Sequence, residues 1–166
     1  MSTTPLTRAA QYAADFEAAQ DSLIALVSSL TDDEWRRIGK NHPQRINDED
    51  EGRTVAVIAH HVADAEGFII ERISRMLEGK PLAPVDFRAS NATHASEHAQ
   101  ATREEVVTLL RANKQSIPPR VAAISDDQLD VMRDTPVGPM SVAQRLERVL
   151  IGHLKQHEGS IRAAIS

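Results

Sequence analysis

The sequence predicts an all-α protein, a single four-helix bundle with long interhelical connections, and three observations carry that expectation. Apolar residues recur every three or four positions along four stretches of about 20 to 25 residues, the period of a helix that buries one face. No segment alternates with period two over a useful length, and no Asn-Gly or Asp-Gly pair marks a hairpin, so strands are not expected. Finally, 166 residues that are 41% apolar and 26% charged suit one soluble domain, spanning residues 1–166, that needs neither a disulfide nor a structural metal to fold.

The first long helix is expected from about Leu6 to Leu30, where Tyr12, Phe16, Leu23, Ile24, Val27 and Leu30 keep helical spacing. Thr31-Asp32-Asp33-Glu34 reads as a capping box that opens a short helix through Trp35 to Ile38. Asn41 to Gly52 is polar, contains Pro43 and ends in an acidic run, so it reads as an exposed loop. Thr54 caps the second long helix, whose stripe runs through Val57, Ile58, His61, Ala65, Phe68, Ile69, Ile73 and Met76 until Gly79 and Pro81 end it. His61 lies on that stripe. His60, rotated by about 100°, falls nearer its edge.

After a proline-bearing connection from Pro81 to Ser90, the third long helix is expected to begin near Asn91 or Thr93 and to stop at about Ser116, before Pro118 and Pro119. Its core positions would be Val106, Val107, Leu109, Leu110 and Ala99. His94 and His98 are spaced i, i+4 but stand among Thr93, Ser96, Glu97 and Gln100, so the pair reads as a solvated first turn and not as a ligand pair. Ser125-Asp126-Asp127-Gln128 is another capping box, Pro136 to Pro139 turns the chain, and Ser141 caps the last helix. The two halves echo one another: a capped acidic turn, a loop, then Thr-Val-Ala or Ser-Val-Ala opening a helix that carries histidine.

Chemistry concentrates on the last helix. His153 and His157 are one turn apart and share a face with Leu146, Val149, Leu150, Ile161 and Ala164. If the second and fourth helices are neighbours, His61, His153 and His157 converge. Burying several imidazoles without partners costs on the order of 1 to 3 kcal/mol each, whereas one divalent ion satisfies a nitrogen of all three. Three neutral nitrogen ligands suit zinc or nickel, with iron and copper also accepting such a set, and leave a position for water or substrate. The His-Glu-x-x-His signature of zinc proteases is absent, since the stretch reads His153-Leu154-Lys155-Gln156-His157. Asp64, three residues after His61, is the candidate catalytic carboxylate, to orient a ligand or accept a proton. Glu158 follows His157 directly and points elsewhere. The blander alternatives are a noncatalytic ligand-binding or stress-associated bundle, and a scaffold whose histidines are hydrogen-bonded core residues.

Composition excludes much else. The net charge of -5 provides no basic footprint for nucleic acid or an anionic membrane. With no cysteine, disulfides, thiolate metal sites and cysteine nucleophiles are excluded. The first residues lack the apolar core of a signal peptide and no run reaches the length of a membrane span, which makes a cytoplasmic location the expectation.

Three phrases carry a resemblance to a known family: Thr54-Val55-Ala56-Val57-Ile58-Ala59-His60-His61-Val62-Ala63-Asp64-Ala65-Glu66, Val149-Leu150-Ile151-Gly152-His153-Leu154-Lys155-Gln156-His157, and Leu30-Thr31-Asp32-Asp33-Glu34-Trp35. Together the chain resembles the DinB-like, YfiT-type family of four-helix-bundle candidate metalloenzymes. The family pattern of a histidine before an aliphatic residue matches His61-Val62, and its His-x-x-x-His matches His153 and His157. The resemblance implies a zinc or nickel ion held by these three histidines in a cleft, a small-molecule substrate and frequently a homodimer. Some relatives are transferases or isomerases that use a low-molecular-weight thiol, bacillithiol or mycothiol; here that thiol would have to come from outside the chain.

Overall fold

The computed structural model describes residues 6–40 and 53–166; the expected polar loop from Asn41 to Gly52 lies outside these. Helix α1 (Arg8–Ser29) starts where the Thr7 hydroxyl accepts the Ala10 N–H, and it buries Phe16, Leu23 and Val27. Helix α2 (Asp32–Arg36) is opened by the reciprocal Thr31–Glu34 capping box. Its Trp35 is buried and donates its indole N–H to the Ala101 carbonyl at 2.9 Å, pinning α2 to a distant connection. Helix α3 (Val55–Leu77) is capped by Thr54, as its hydroxyl and the apolar run after it require.

The expected third long helix is two helices. Asp86 caps α4 (Phe87–Glu97), the chain breaks at His98 to Thr102, and α5 (Arg103–Ala122) begins at a capping box between Thr102 and Glu105. Thr-x-x-Glu is the same signal as at Thr31, and it overrides the weak periodicity on either side. Val106 and Leu110 are core, Val107 is partly buried against it, and Leu109 and Ala99 are exposed. Nor does α5 stop before Pro118. It runs through both prolines, whose missing N–H groups free the carbonyls of Lys114 and Gln115 near the surface, while Pro118 itself packs inward.

Helix α6 (Asp126–Leu129) follows the Ser125 capping box. A two-residue antiparallel ladder then pairs β1 (Met132–Arg133) with β2 (Met140–Ser141), and an isolated bridge joins Ile38 to Thr54; these are the strand pairings among the described residues, where none was expected. Ser141 caps α7 (Val142–Arg145), which passes without a break through a π-helical segment, Leu146–Ile151, into α8 (Gly152–Ile165).

Four long rods make the bundle: α1, α3, α5, and α7 to α8 treated as one. Helix α1 packs on α5 and on the last rod, and α3 packs on the same two, so the order around the bundle is α1, α5, α3, last rod. The core is aliphatic, mostly Leu, Ile, Val and Ala, with Phe16 and Trp35 its buried aromatic residues among the described ones. Across it, Glu66 of α3 meets Gln20 of α1 at 2.5 Å and Asn113 of α5 at 2.7 Å. Helix α4 stands outside this square and packs on α3.

Candidate metal centre

Adjacency of α3 and α8 brings His61, His153 and His157 together, with one ring nitrogen from each lying within 4.8 Å of the others. The Nε2 atoms of His61 and His153 face one another at 3.2 Å. The three rings meet edge-on: His61–His153 at 5.1 Å and 65°, His61–His157 at 5.2 Å and 78°, His153–His157 at 4.5 Å and 79°. Imidazoles bound at 2.0–2.1 Å to one tetrahedral zinc have nitrogens about 3.3 Å apart and ring centroids about 5.2 Å apart. The donor set and its spacing therefore fit a divalent ion.

A second histidine group was not expected. His94 and His98 lie at the end of α4, not in an opening turn, and α4 carries them onto His60 of α3; these three also bring ligand atoms within 4.8 Å. Burial is what the sequence reading missed. His60 is 3% exposed, less than the pocket-facing His61, because α4 covers the edge of the α3 stripe. The signal available was the i, i+4 pair itself; the polar neighbours that argued against it point away from α3. The geometry of this group differs from that of the first. His60 and His98 stack nearly parallel, 3.8 Å apart at 18°, too close for two rings radiating from one ion, while His60 Nδ1 and His94 Nε2 share a hydrogen bond of 2.9 Å and His60 Nε2 faces Glu105 at 3.6 Å. Burial, reinforced by the other histidines, lowers His94 to a pKa of about 4 and also lowers His60, so these two rings are neutral at pH 7.

His61, His153 and His157 line a cavity of about 560 Å³ enclosed by α3, α4 and the last rod. Apolar walls come from Phe68, Ile69 and Val149, and Phe87 closes it from α4. Asp64 lines it too, from an exposed position. Glu158 is turned to α1, where it accepts Ser22 at 2.7 Å and is paired with Arg162. A cavity of similar size, about 550 Å³, opens between Trp35 and Arg103; Asp32 is the lone carboxylate of its lining among the described residues, and neither histidine cluster reaches it.

The last rod places Arg145, Val149, His153 and His157 on this one cavity. Steps of four residues overshoot a full turn of α-helix by about 40°, so three such steps would carry Arg145 about 120° around from His157. The π segment between them, with its wider turns, cancels part of that drift. Its closing bond runs from Gly152 N–H to the Glu147 carbonyl, and a Cβ at position 152 would meet that oxygen at 3.1 Å. Any side chain there would press on the carbonyl that closes the π turn, and glycine avoids that contact.

A four-helix bundle with a three-histidine group at a cavity between its second and fourth rods defines a class of protein: a helical bundle positioned to bind a metal ion through imidazoles. The chain belongs to the DinB superfamily, whose sequence model matches residues 15–161. No curated protein matches it.

Proposed function

We propose that this chain is a metal-dependent enzyme in which His61, His153 and His157 hold one divalent ion, zinc or nickel, and that it acts on a small molecule by thiol-dependent S-transfer or isomerisation, or by hydrolysis. One observation carries the reading: three imidazoles with the spacing of tetrahedral ligands stand at the wall of a cavity large enough for a substrate. Bound there, such an ion lowers the pKa of a coordinated water or thiol toward neutrality. The protein's own part is to orient and to shield. With an ion on their facing Nε2 atoms, His61 and His153 would carry their protons on Nδ1; His157 is fixed by burial at 1% exposure, and Phe68 and Val149 give the cavity wall apolar surface. Asp64, at the solvent side, takes up or returns the proton. The thiol is an external low-molecular-weight one, since the chain has no cysteine.

In the same reading the protein works as a cytoplasmic homodimer on neither nucleic acid nor membrane; the net charge of -5 supports the exclusion of polyanions, and no helix among the described residues is long and apolar enough to cross a membrane. Elemental analysis of tag-free protein tests the site. About one ion per chain is expected, lost in His153→Ala with the bundle still folded; a content below about 0.2 overturns the proposal. A His153→Ala variant that melts with loss of the ion assigns the metal to structure instead.

A further inference from the structure

The cavity holds a cation that no acid among the described residues neutralises. Arg145 is only 5% exposed and lines the cavity with the three histidines. Its Nε is buried without a hydrogen-bond partner among the described residues. Asp64, the acid of the cavity lining, sits at the exposed side and is not paired with it. What acts on Arg145 is burial and a second positive charge, Arg72, and both disfavour its charged form. Arg72 is 7% exposed, donates to the Ala83 carbonyl at 3.0 Å and lies over the ring of Phe68 at 5.3 Å, itself a wall of the cavity. Two buried guanidinium groups without a carboxylate partner among the described residues run against the rule that buried charges are paired. A counter-ion supplied by the ligand resolves the imbalance, and guanidinium is the group best shaped for a planar, bidentate oxyanion.

We propose that Arg145 anchors the carboxylate of the molecule bound in this cavity, so that the ligand is an organic acid with an apolar body, lying along Val149 and Phe68 with its far end at His153 and His157. Eight residues of helix separate Arg145 from His153, which sets the span from carboxylate to far end at about 12 Å or somewhat less. That the far end is the reacting end rests on the function proposed above; the anion anchor does not.

The probe pair is 4-phenylbutyrate and its uncharged amide, titrated calorimetrically into the full chain both metal-loaded and chelated. Wild type should prefer the acid by about tenfold or more in both states. Arg145→Gln should erase the preference while binding the amide as wild type does, which also shows that it is folded. Arg145→Met should raise the thermal midpoint of the ligand-free protein, because it removes an unpaired buried charge, and the acid should raise the midpoint of wild type but not of the variant. The proposal is overturned if wild type binds acid and amide alike, if neither binds in the millimolar range, or if the preference survives Arg145→Gln. It also falls if the preference vanishes on chelation, since the carboxylate would then ligate the ion, or if Arg145→Met lowers the midpoint, since the arginine would then be a strut. A protein with no metal but a persistent, Arg145-dependent preference keeps the anchor and loses only the proposed reaction.

Discussion

Glu66 keeps its proton at neutral pH. It is fully buried, and desolvation pushes its carboxyl up to about 8 even though Asn113 and Gln20 donate to it. Between its unfolded value of 4.5 and about 8 the folded chain holds a proton that the unfolded chain has released, so stability should fall as pH rises through that window and level off above it. Glu66→Gln should flatten this slope and leave the variant the more stable of the two at pH 8, by an amount on the order of a few kcal/mol; denaturant midpoints at pH 5 and pH 8 check it. A steeper slope in the variant would mean that another group dominates. Single residues also mark where the sequence was legible. His153 and His157 stood out because i, i+4 spacing on an apolar face is a local pattern, and Thr54 and Thr31 because caps are local too. Arg145 did not stand out: an arginine on a helix looks like surface until the packing of three elements is known. His60 and His94 are buried by a helix whose placement no local pattern encodes.

At the scale of elements, the capped helices were readable and the breaks between them were not. The Thr102–Glu105 box was present in the sequence but hidden inside an assumed longer helix, and Pro118-Pro119 looked like a stop although the α5 carbonyls they free are near solvent. Thr102→Ala should cost about 1 kcal/mol, read as a lower denaturant midpoint with an unchanged slope; an unchanged midpoint would show that packing alone places the break. The π segment has no sequence signature at all. In an ordinary helix interior Gly→Ala gains up to about 1 kcal/mol, so Gly152→Ala is a sharp test. With a carbonyl 3.1 Å from the new Cβ, it should instead gain nothing or lose stability, and it should weaken metal binding, because relieving the contact turns His153 relative to Arg145. A stabilised variant with full metal affinity would refute that role for Gly152.

For the whole molecule, two histidine groups a few ångströms apart raise the question of how many ions the bundle takes. The edge-on rings of His61, His153 and His157 and the parallel stack of His60 on His98 predict one. His98→Ala should leave the metal content of purified protein unchanged, whereas His157→Ala should abolish it; loss of half the metal in His98→Ala would establish a second site. Free ion at 100 times its dissociation constant should then stabilise the fold by about 2.7 kcal/mol, visible as a midpoint that falls on chelation. The bundle's four rods hold His61, His153, His157 and Arg145, and their stability comes from a core to which α4 adds little. Yet α4 and the chain just before it furnish Val85, Phe87, Ser90, Asn91 and His94, the whole opposite wall of the cavity. That wall can therefore be rewritten at little cost to the four-rod core: one short outrigger helix lets the shape of the cavity change while the histidines of α3 and α8 stay where they are.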